Sequence, residues 1–395
     1  MAGLHVYRSN HLEALVDALT AVTRQPLRSV LEPEIVVVQS LGIRRWLSLE
    51  LARHLGVTMN CEFPFPATFL QQILAAVLPD STPARAFERH VLPWRILQRL
   101  APDLDQPAFA DLRAYLAGEN RALKEYQLAT RIAGVFDRYL AYRHRLILEW
   151  QGGAGTHWQA QLWRELAEGH ERAHTPALAR EFGAALKRDR IDRSALPTRV
   201  SLFGISSLPP FYVELFGAIS SLLDVHLFLL TPTPEYWSDL RSPREQQRSL
   251  RKQKRPSENG ALHFETGNLL LASLGRIGRE FGEVVLSLDP LSEKDLCAPP
   301  AETTLLGHVQ ADLFYVRERA PHEKVMTDPG DRSIQLHCCH GPMREVEVLH
   351  DQLLDLFQND PALTPRDILV TMPDVEVYAP FIEAVFGAAE DRRRA

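Results

Sequence analysis

Apolar positions along the first forty residues gather into one run, Glu34-Ile35-Val36-Val37-Val38-Gln39, which follows Pro33. The run is β-branched and does not alternate, which predicts a strand buried on both faces of a parallel sheet. After Ser40, Ile43, Trp46, Leu47, Leu49 and Leu51 continue at helical spacing. Strand, short loop and amphipathic helix make the repeating unit of an α/β sheet. Between Ala67 and Lys187 the period is helical throughout, as in Phe69, Ile73, Leu74 and Val77 or Ile132, Val135, Phe136, Tyr139 and Leu140. Turn residues interrupt it at Pro79–Pro83, Ala101–Pro107 and Gln151–Gly155. This block reads as an all-helical insertion between pieces of the sheet domain.

The sheet pattern returns in Arg199–Gly204, in a helix through Tyr212, Leu215, Phe216 and Ile219, and in Val225–Leu230. Arg241 to Pro256 is polar and basic, and reads as a loop. Gly260 to Pro300 mixes helix with loop. Further on, Ser333–Cys339 and Asp367–Met372 are expected as strands. Arg344–Phe357, with Val346, Leu349, Leu353, Leu354 and Phe357 inward, and Val375–Phe386 are expected as helices. Two strands bury poorly by themselves, so the run ending at Asp391-Arg392-Arg393-Arg394-Ala395 is read as a fragment or an incomplete domain.

Composition narrows this little. The 395 residues are 45% hydrophobic and 24% charged, ordinary for a folded protein of two or three domains, and the net charge is −6. Contact with nucleic acid would therefore come from local patches or an enclosed channel. Cys61, Cys297, Cys338 and Cys339 include no Cys-x-x-Cys pair and read as reduced thiols. The N-terminus lacks a signal-peptide pattern, and no apolar run is long enough for a bilayer, so a cytoplasmic protein is expected.

An α/β plan with a helical insertion suggests a nucleotide hydrolase, yet no G-x-x-x-x-G-K-[ST] phosphate loop is present. The Arg199–Gly204 strand ends in Ile205-Ser206, without the carboxylate that would hold magnesium. His337-Cys338-Cys339-His340 has zinc-binding residue types, but consecutive strand residues point to opposite faces and cannot converge on one metal. Gly275-Arg276-Ile277-Gly278-Arg279-Glu280-Phe281-Gly282 follows a helical stretch and not a strand, so packing explains its glycines better than a nucleotide loop. No catalytic residue is assigned. Two features could meet nucleic acid. One is the basic stretch with Arg248, Arg251 and Lys252, either a solvated loop or a phosphate or partner contact. The other is Phe136, Arg138, Tyr139, Tyr142, Arg143 and Arg145, either helix packing or a surface for single strands.

Longer strings carry a family resemblance: Leu4-His5-Val6-Tyr7-Arg8-Ser9-Asn10, Glu32-Pro33-Glu34 through Ser40, Asn60-Cys61-Glu62-Phe63-Pro64-Phe65-Pro66-Ala67, Phe203-Gly204-Ile205-Ser206-Ser207-Leu208-Pro209-Pro210, Arg344–Asp351 and Leu363–Ile368. In these the chain resembles the RecC family, gamma subunits of exodeoxyribonuclease V, from residue 4 to about residue 388. The resemblance implies a degenerate superfamily 1 helicase-like, P-loop NTPase-like fold. Residues 1–78 and 196–300 would form the first motor-like domain, and 79–195 its inserted helical subdomain. Residues 301–330 would be a linker, and 331–395 would begin a second α/β domain.

It also implies a non-catalytic, nucleoid-associated subunit in a hetero-trimer with RecB-like and RecD-like partners, which would hold the ATP and magnesium. Such a subunit guides unwound single strands from duplex ends and scans the 3′-ending strand for a Chi-type hotspot; the alternative is a scaffold that reads no sequence. An active helicase or nuclease would need the motifs that are missing. The implied reading surface falls on Gln39–Arg45, Phe65–Gln71 and Gly134–Arg143. Gln39, Asp137 and Arg143 keep the family type there, and Arg45 stands at a helix start. Leu41, Phe65, Gln71, Gly134, Val135, Arg138 and Thr175 depart from it. Direct readout depends on donor and acceptor identity, so an altered or relaxed preference is expected.

Overall fold

A computed structural model describes residues 2–78, 85–188, 190–252 and 267–387. The chain divides into two compact units, Met1–Ala301 with Val309–Lys324, and Glu302–His308 with Val325–Ala395.

In the first unit, β1 (Leu4–Ser9) leads to α1 (Leu12–Thr23), β2 (Glu34–Val38) to α2 (Leu41–Leu55), and β3 (Cys61–Glu62) to α3 (Pro66–Val77). Helices α4 (Leu92–Asp103), α5 (Ala110–Leu116), α6 (Arg121–Tyr142), α7 (His144–Gln151), α8 (Trp158–Ala167) and α9 (Thr175–Lys187) follow. Then come β4 (Arg199–Phe203), α10 (Pro210–Ile219), β5 (Asp224–Leu230), α11 (Pro243–Lys252), α12 (Leu269–Leu274), α13 (Arg276–Leu286) and β6 (Ser292–Asp295). Among the described residues the strands form one parallel sheet in the order β3-β2-β4-β5-β1-β6.

Both faces of the sheet are covered, which is why its central strands are nearly continuous apolar runs. Val37, Val200, Leu202, Val225 and Leu227 pack under α3, α9, α10 and α13. Their neighbours Val36, Val38, Phe203 and Phe228 pack under α1 and α2 on the other face. The helices from α4 to α8 close around a core of their own, with Phe109, Phe136 and Trp163 wholly buried.

Strand β1 is the switch strand. Its chain leaves through α1 toward β2, while β5 connects through α13, on the opposite face, to β6 on the far side of β1. Ligands of open α/β sheets bind outside the carboxyl ends at such a point. The first strand is thus Leu4–Ser9 and not Glu34–Gln39, and the turn to test for a phosphate loop is Ser9-Asn10-His11. It contains no glycine. Ser9 donates to the Leu296 carbonyl at 3.0 Å, and Asn10 exchanges two 2.9 Å hydrogen bonds with Ala298. These contacts tie the turn to the segment after β6.

Further sequence expectations change. Arg241–Pro256 is not simply a loop, because α11 occupies 243–252. Ser242 and Glu245 form a reciprocal cap, with Ser242 N–H donating to Glu245 at 2.9 Å and Glu245 N–H to the Ser242 hydroxyl at 3.3 Å. Pro243 then supplies the first helical φ. A helix polar on nearly every side carries no period to read.

Gly260–Pro300 contains a strand, β6, at the sheet edge. Residues 301–330 are not only a linker but contain α14 (Leu305–Phe314).

In the second unit, neither Ser333–Cys339 nor Asp367–Met372 joins a ladder. Gln335, His337 and Cys339 still alternate toward α15 (Pro342–Asn359), beside Glu345, Val348 and Leu349. The backbone finds no neighbouring strand among the described residues, and Leu336 and Leu369 stand 92% and 87% exposed. On α15 only Val346 is buried, and Leu354, expected inward, is exposed. The last helix, α16 (Val375–Ile382), continues into a π turn over Glu383–Gly387.

Candidate nucleic-acid interface

The expected reading residues come from three places, and the carboxyl edge of the sheet draws most of them together. Strand β2 ends at Val38, and Ser40 then turns extended and caps α2 by accepting the Ile43 N–H at 3.1 Å. Gln39, between them, uses both ends of its amide. Its Nε2 donates to the Ser207 carbonyl at 2.5 Å, and its Oε1 accepts the Ser206 N–H at 3.3 Å. The β4–α10 loop is thereby fastened to the end of β2.

Gly204 makes the approach possible. Its φ is +65°, and a Cβ there would lie 3.0 Å from Ile43 Cγ2. Beyond Gln39, the first turns of α2 present Leu41, 67% exposed, with Arg44 and Arg45 around a shallow depression shared with Ser48 and Leu49. A helix N-terminus favours anions nearby, yet this one has no acidic side chain in its first turn and carries two arginines. The positive charge is not there for the helix.

Phe65 lies at the same edge. Val38 N–H donates to the Pro64 carbonyl at 3.1 Å, so the Pro64–Pro66 elbow runs beside the end of β2 with Phe65 partly exposed. Gln71, one turn into α3, is half-buried, and Phe69 stacks on Phe216 of α10 with ring centres 5.8 Å apart.

The third contribution is the end of α6. Ala129, Ile132, Ala133, Phe136 and Leu140 are its buried stripe, so Phe136 is core and Val135 only half-buried. Asp137, Arg138, Tyr142 and Arg143 are exposed. Arg143 ends the helix with its guanidinium 5.3 Å over the Tyr139 ring. The following residue, His144, stacks on Phe211 at 4.1 Å, which seats α6 on the start of α10. Tyr212 is half-buried there, and burial, then the charges of Asp137 and Tyr142, push its phenol up to about 12. Gln39 thus holds the backbone of 206–207, and His144, which follows α6, stacks on Phe211 further along the same segment.

Other candidates are not placed with this group. Thr175 opens α9, after His174, whose ring packs edge-on against both Phe87 and Trp163 of the helical core. Arg248, Arg251 and Lys252 are on α11, but their side chains lie outside the described residues, as Lys254 and Arg255 do entirely. Among the described residues no three or more His, Cys, Asp or Glu side chains group to hold a metal ion, and no helix is long and apolar enough to cross a membrane. Sequence patterns missed Ser206 and Ser207, whose backbone groups anchor Gln39; their only signal was the Phe203–Pro210 string.

The family model described as RecC, N-terminal domain, matches residues 4–316. The RecBCD enzyme subunit RecC of Escherichia coli K12 is 35% identical across 98% of this chain and 38% of its own length. That of Haemophilus influenzae Rd is 33% identical across 97% and 39%, and that of Mycolicibacterium smegmatis 34% identical across 98% and 35%. The chain therefore spans between 35% and 39% of the length of these relatives.

Proposed function

The chain belongs to the RecC family, and from that premise we propose that it is the strand-guiding, non-catalytic part of a DNA repair and recombination complex. Its relatives are named as subunits of the RecBCD enzyme, so RecB-like and RecD-like chains are the proposed partners and the proposed holders of ATP and magnesium. Residues 1–78 and 196–300 act as a helicase-like domain whose nucleotide loop has been lost. The turn Ser9-Asn10-His11 supports that reading, because the Ser9 and Asn10 side chains are spent on Leu296 and Ala298. Residues 79–195 serve as its inserted subdomain.

The observation that carries the proposal is the convergence of Gln39, Phe65 and the Asp137–Arg143 turn around the carboxyl edge of the sheet. An unwound 3′-ending strand crosses this edge, with Arg45, Arg138 and Arg143 meeting phosphates. Phe65, Leu41 and Tyr142 offer apolar or aromatic surface to bases. Sequence preference at this edge is relaxed or altered, since Leu41 and Val135 carry no polar group with which to read a base edge.

Photoreactive single-stranded DNA, presented to the full-length subunit in its assembled complex, tests this. Adducts within 39–45 and 137–143 are expected, and adducts confined to partner chains would remove the proposal.

A scaffold role has one observation in its favour. The Gln39 amide is already occupied by the Ser206 and Ser207 backbone. If Gln39 acts only as a clasp, Gln39→Leu lowers stability and leaves the crosslinking pattern intact.

A further inference from the structure

The glycine series of α13 has no part in the interface just described, yet it floors a cavity of about 600 Å3 at the carboxyl ends of β1 and β5. Trp237 lies against the start of the helix because Gly275 has no side chain, and it touches Gly278 at ordinary contact distance. A Cβ on Gly275 would be 2.6 Å from Trp237 Cζ3, and one on Gly278 would be 3.7 Å from Cη2. One turn on, a Cβ on Gly282 would meet nothing within 4 Å, so the floor is open there. Tyr236, Ile277 and Leu230 belong to the same lining and are 63%, 59% and 48% exposed. Apolar surface left open in a concave site of this size marks a place for a ligand.

The polar groups narrow the choice. Arg8 lines the cavity, and its Nε is buried without a hydrogen-bond partner among the described residues. Its ion pairs with Glu293 and Asp295 are long, at 4.0 and 3.8 Å. A loosely paired guanidinium in the wall, with indole and phenol rings beside a floor where Gly278 and Gly282 carry no side chain, suits a planar heterocycle with acceptors on its edge. Ser206 completes the wall, and its N–H is the group that Gln39 holds. A strand lying across Gln39 therefore passes the mouth of the cavity.

We propose that this pocket takes one unstacked nucleobase of the single strand, held over Gly278 and Gly282 against Trp237 with its edge toward Arg8. The proposal rests on the strand-guiding reading above and gives that edge a fixed point that sets the register of the strand. Unstacking a base of an already single strand costs less than extruding one from a duplex, and stacking in the pocket offsets it.

The test uses the full-length subunit in its assembled complex, with 2-aminopurine placed at successive positions of a single-stranded oligonucleotide. One position is expected to change fluorescence beyond its neighbours. Gly282→Leu, which has room for its side chain, should abolish that signal and weaken strand binding by about 5- to 150-fold, the range of one base stack. Gly183→Leu in α9, where a Cβ also meets nothing within 4 Å, should change neither.

An unchanged signal in Gly282→Leu, or no distinctive position at all, overturns the pocket. Crosslinks at 39–45 that persist in that case leave the strand-guiding reading standing, and their loss in wild type removes both. Binding of free dAMP that Gly282→Leu abolishes, without a positional signal, would make this a mononucleotide site and overturn the proposal. So would a Gly282→Leu subunit that binds strands normally but fails to assemble with its partners, which would mark a peptide-docking site.

Discussion

Arg199, the first residue of β4, grips Glu34, the first residue of β2, through two parallel hydrogen bonds of 2.9 and 2.6 Å with both side chains almost fully buried. The partners are 165 positions apart, with the whole helical block between them. The same guanidinium donates to the carbonyls of Gln25 at 2.9 Å and Thr23 at 3.3 Å, closing the end of α1. Removing one member of a buried pair strands the other without water, so Arg199→Met should cost about 3–5 kcal/mol. Urea denaturation followed by circular dichroism measures it. A loss under about 1 kcal/mol would show that water reaches the pair.

Gly204→Ala should separate stability from strand contact at the interface. Its φ of +65° and the 3.0 Å approach to Ile43 both oppose a side chain, for a cost of about 1–3 kcal/mol. The displaced loop loosens its hold on Gln39, so crosslinks at 39–45 should shift or weaken while those at the end of α6 remain. Adding Ile43→Ala removes the contact but not the strained dihedral, and should restore only part of the stability.

Acid should weaken the first unit before its carboxylates matter. His174 is buried against Phe87 and Trp163, and burial lowers its pKa to about 4. Its Nδ1 accepts the Ala177 N–H at 3.3 Å, which leaves Nε2–H to donate to Gln151 at 2.7 Å, so the ring must be neutral. His226 is likewise held at about 4, by burial and then by the adjacent His5 ring, stacked at 4.9 Å.

Between an unfolded pKa of about 6.5 and a folded value of about 4, the unfolded chain binds the proton and the folded chain does not. Stability is therefore full above pH 6.5 and falls as pH drops toward 4, by up to about 3 kcal/mol for each ring. Denaturation midpoints at pH 7.5, 6 and 4.5 check the slope. A flat profile would mean that neither ring is protected.

Charge reversal at the end of α6 should act on binding and not on folding. Arg138 and Arg143 are exposed, and the Arg143 guanidinium lies over the Tyr139 ring. Arg138→Glu with Arg143→Glu should leave the melting temperature within about 2–3 °C. Strand affinity should drop, and its dependence on log salt should lose about 0.7 for each phosphate contact removed. An unchanged salt slope would exclude phosphate contact at these positions.

The sequence by itself determined whatever depends on burial by near neighbours. Glu34–Val38, Arg199–Phe203 and Asp224–Leu230 could be read because a central strand covered on both faces needs apolar side chains at nearly every position. The stripes of α3 and α6 could be read because one buried face imposes its period. The absent phosphate loop and the family strings needed no folding at all.

Tertiary structure decided the rest. The edge strand β6, Ser292-Glu293-Lys294-Asp295, is polar because one side of it has no strand to meet, and only its pairing with β1 makes it a strand. Helix α11 is set by its Ser242–Glu245 cap and by Arg279, which ion-pairs with Glu245 at 2.9 Å from a distant helix. Ser333–Cys339 has a strand's alternation, yet among the described residues no neighbouring strand pairs with it and its backbone forms no ladder. Gln39 and the end of α6 are about a hundred positions apart in sequence. Gln39 reaches the 204–212 segment because parallel strands place their carboxyl ends on one edge and the left-handed turn at Gly204 brings that loop against the end of β2, whereas the end of α6 approaches it through the stacking of His144 on Phe211.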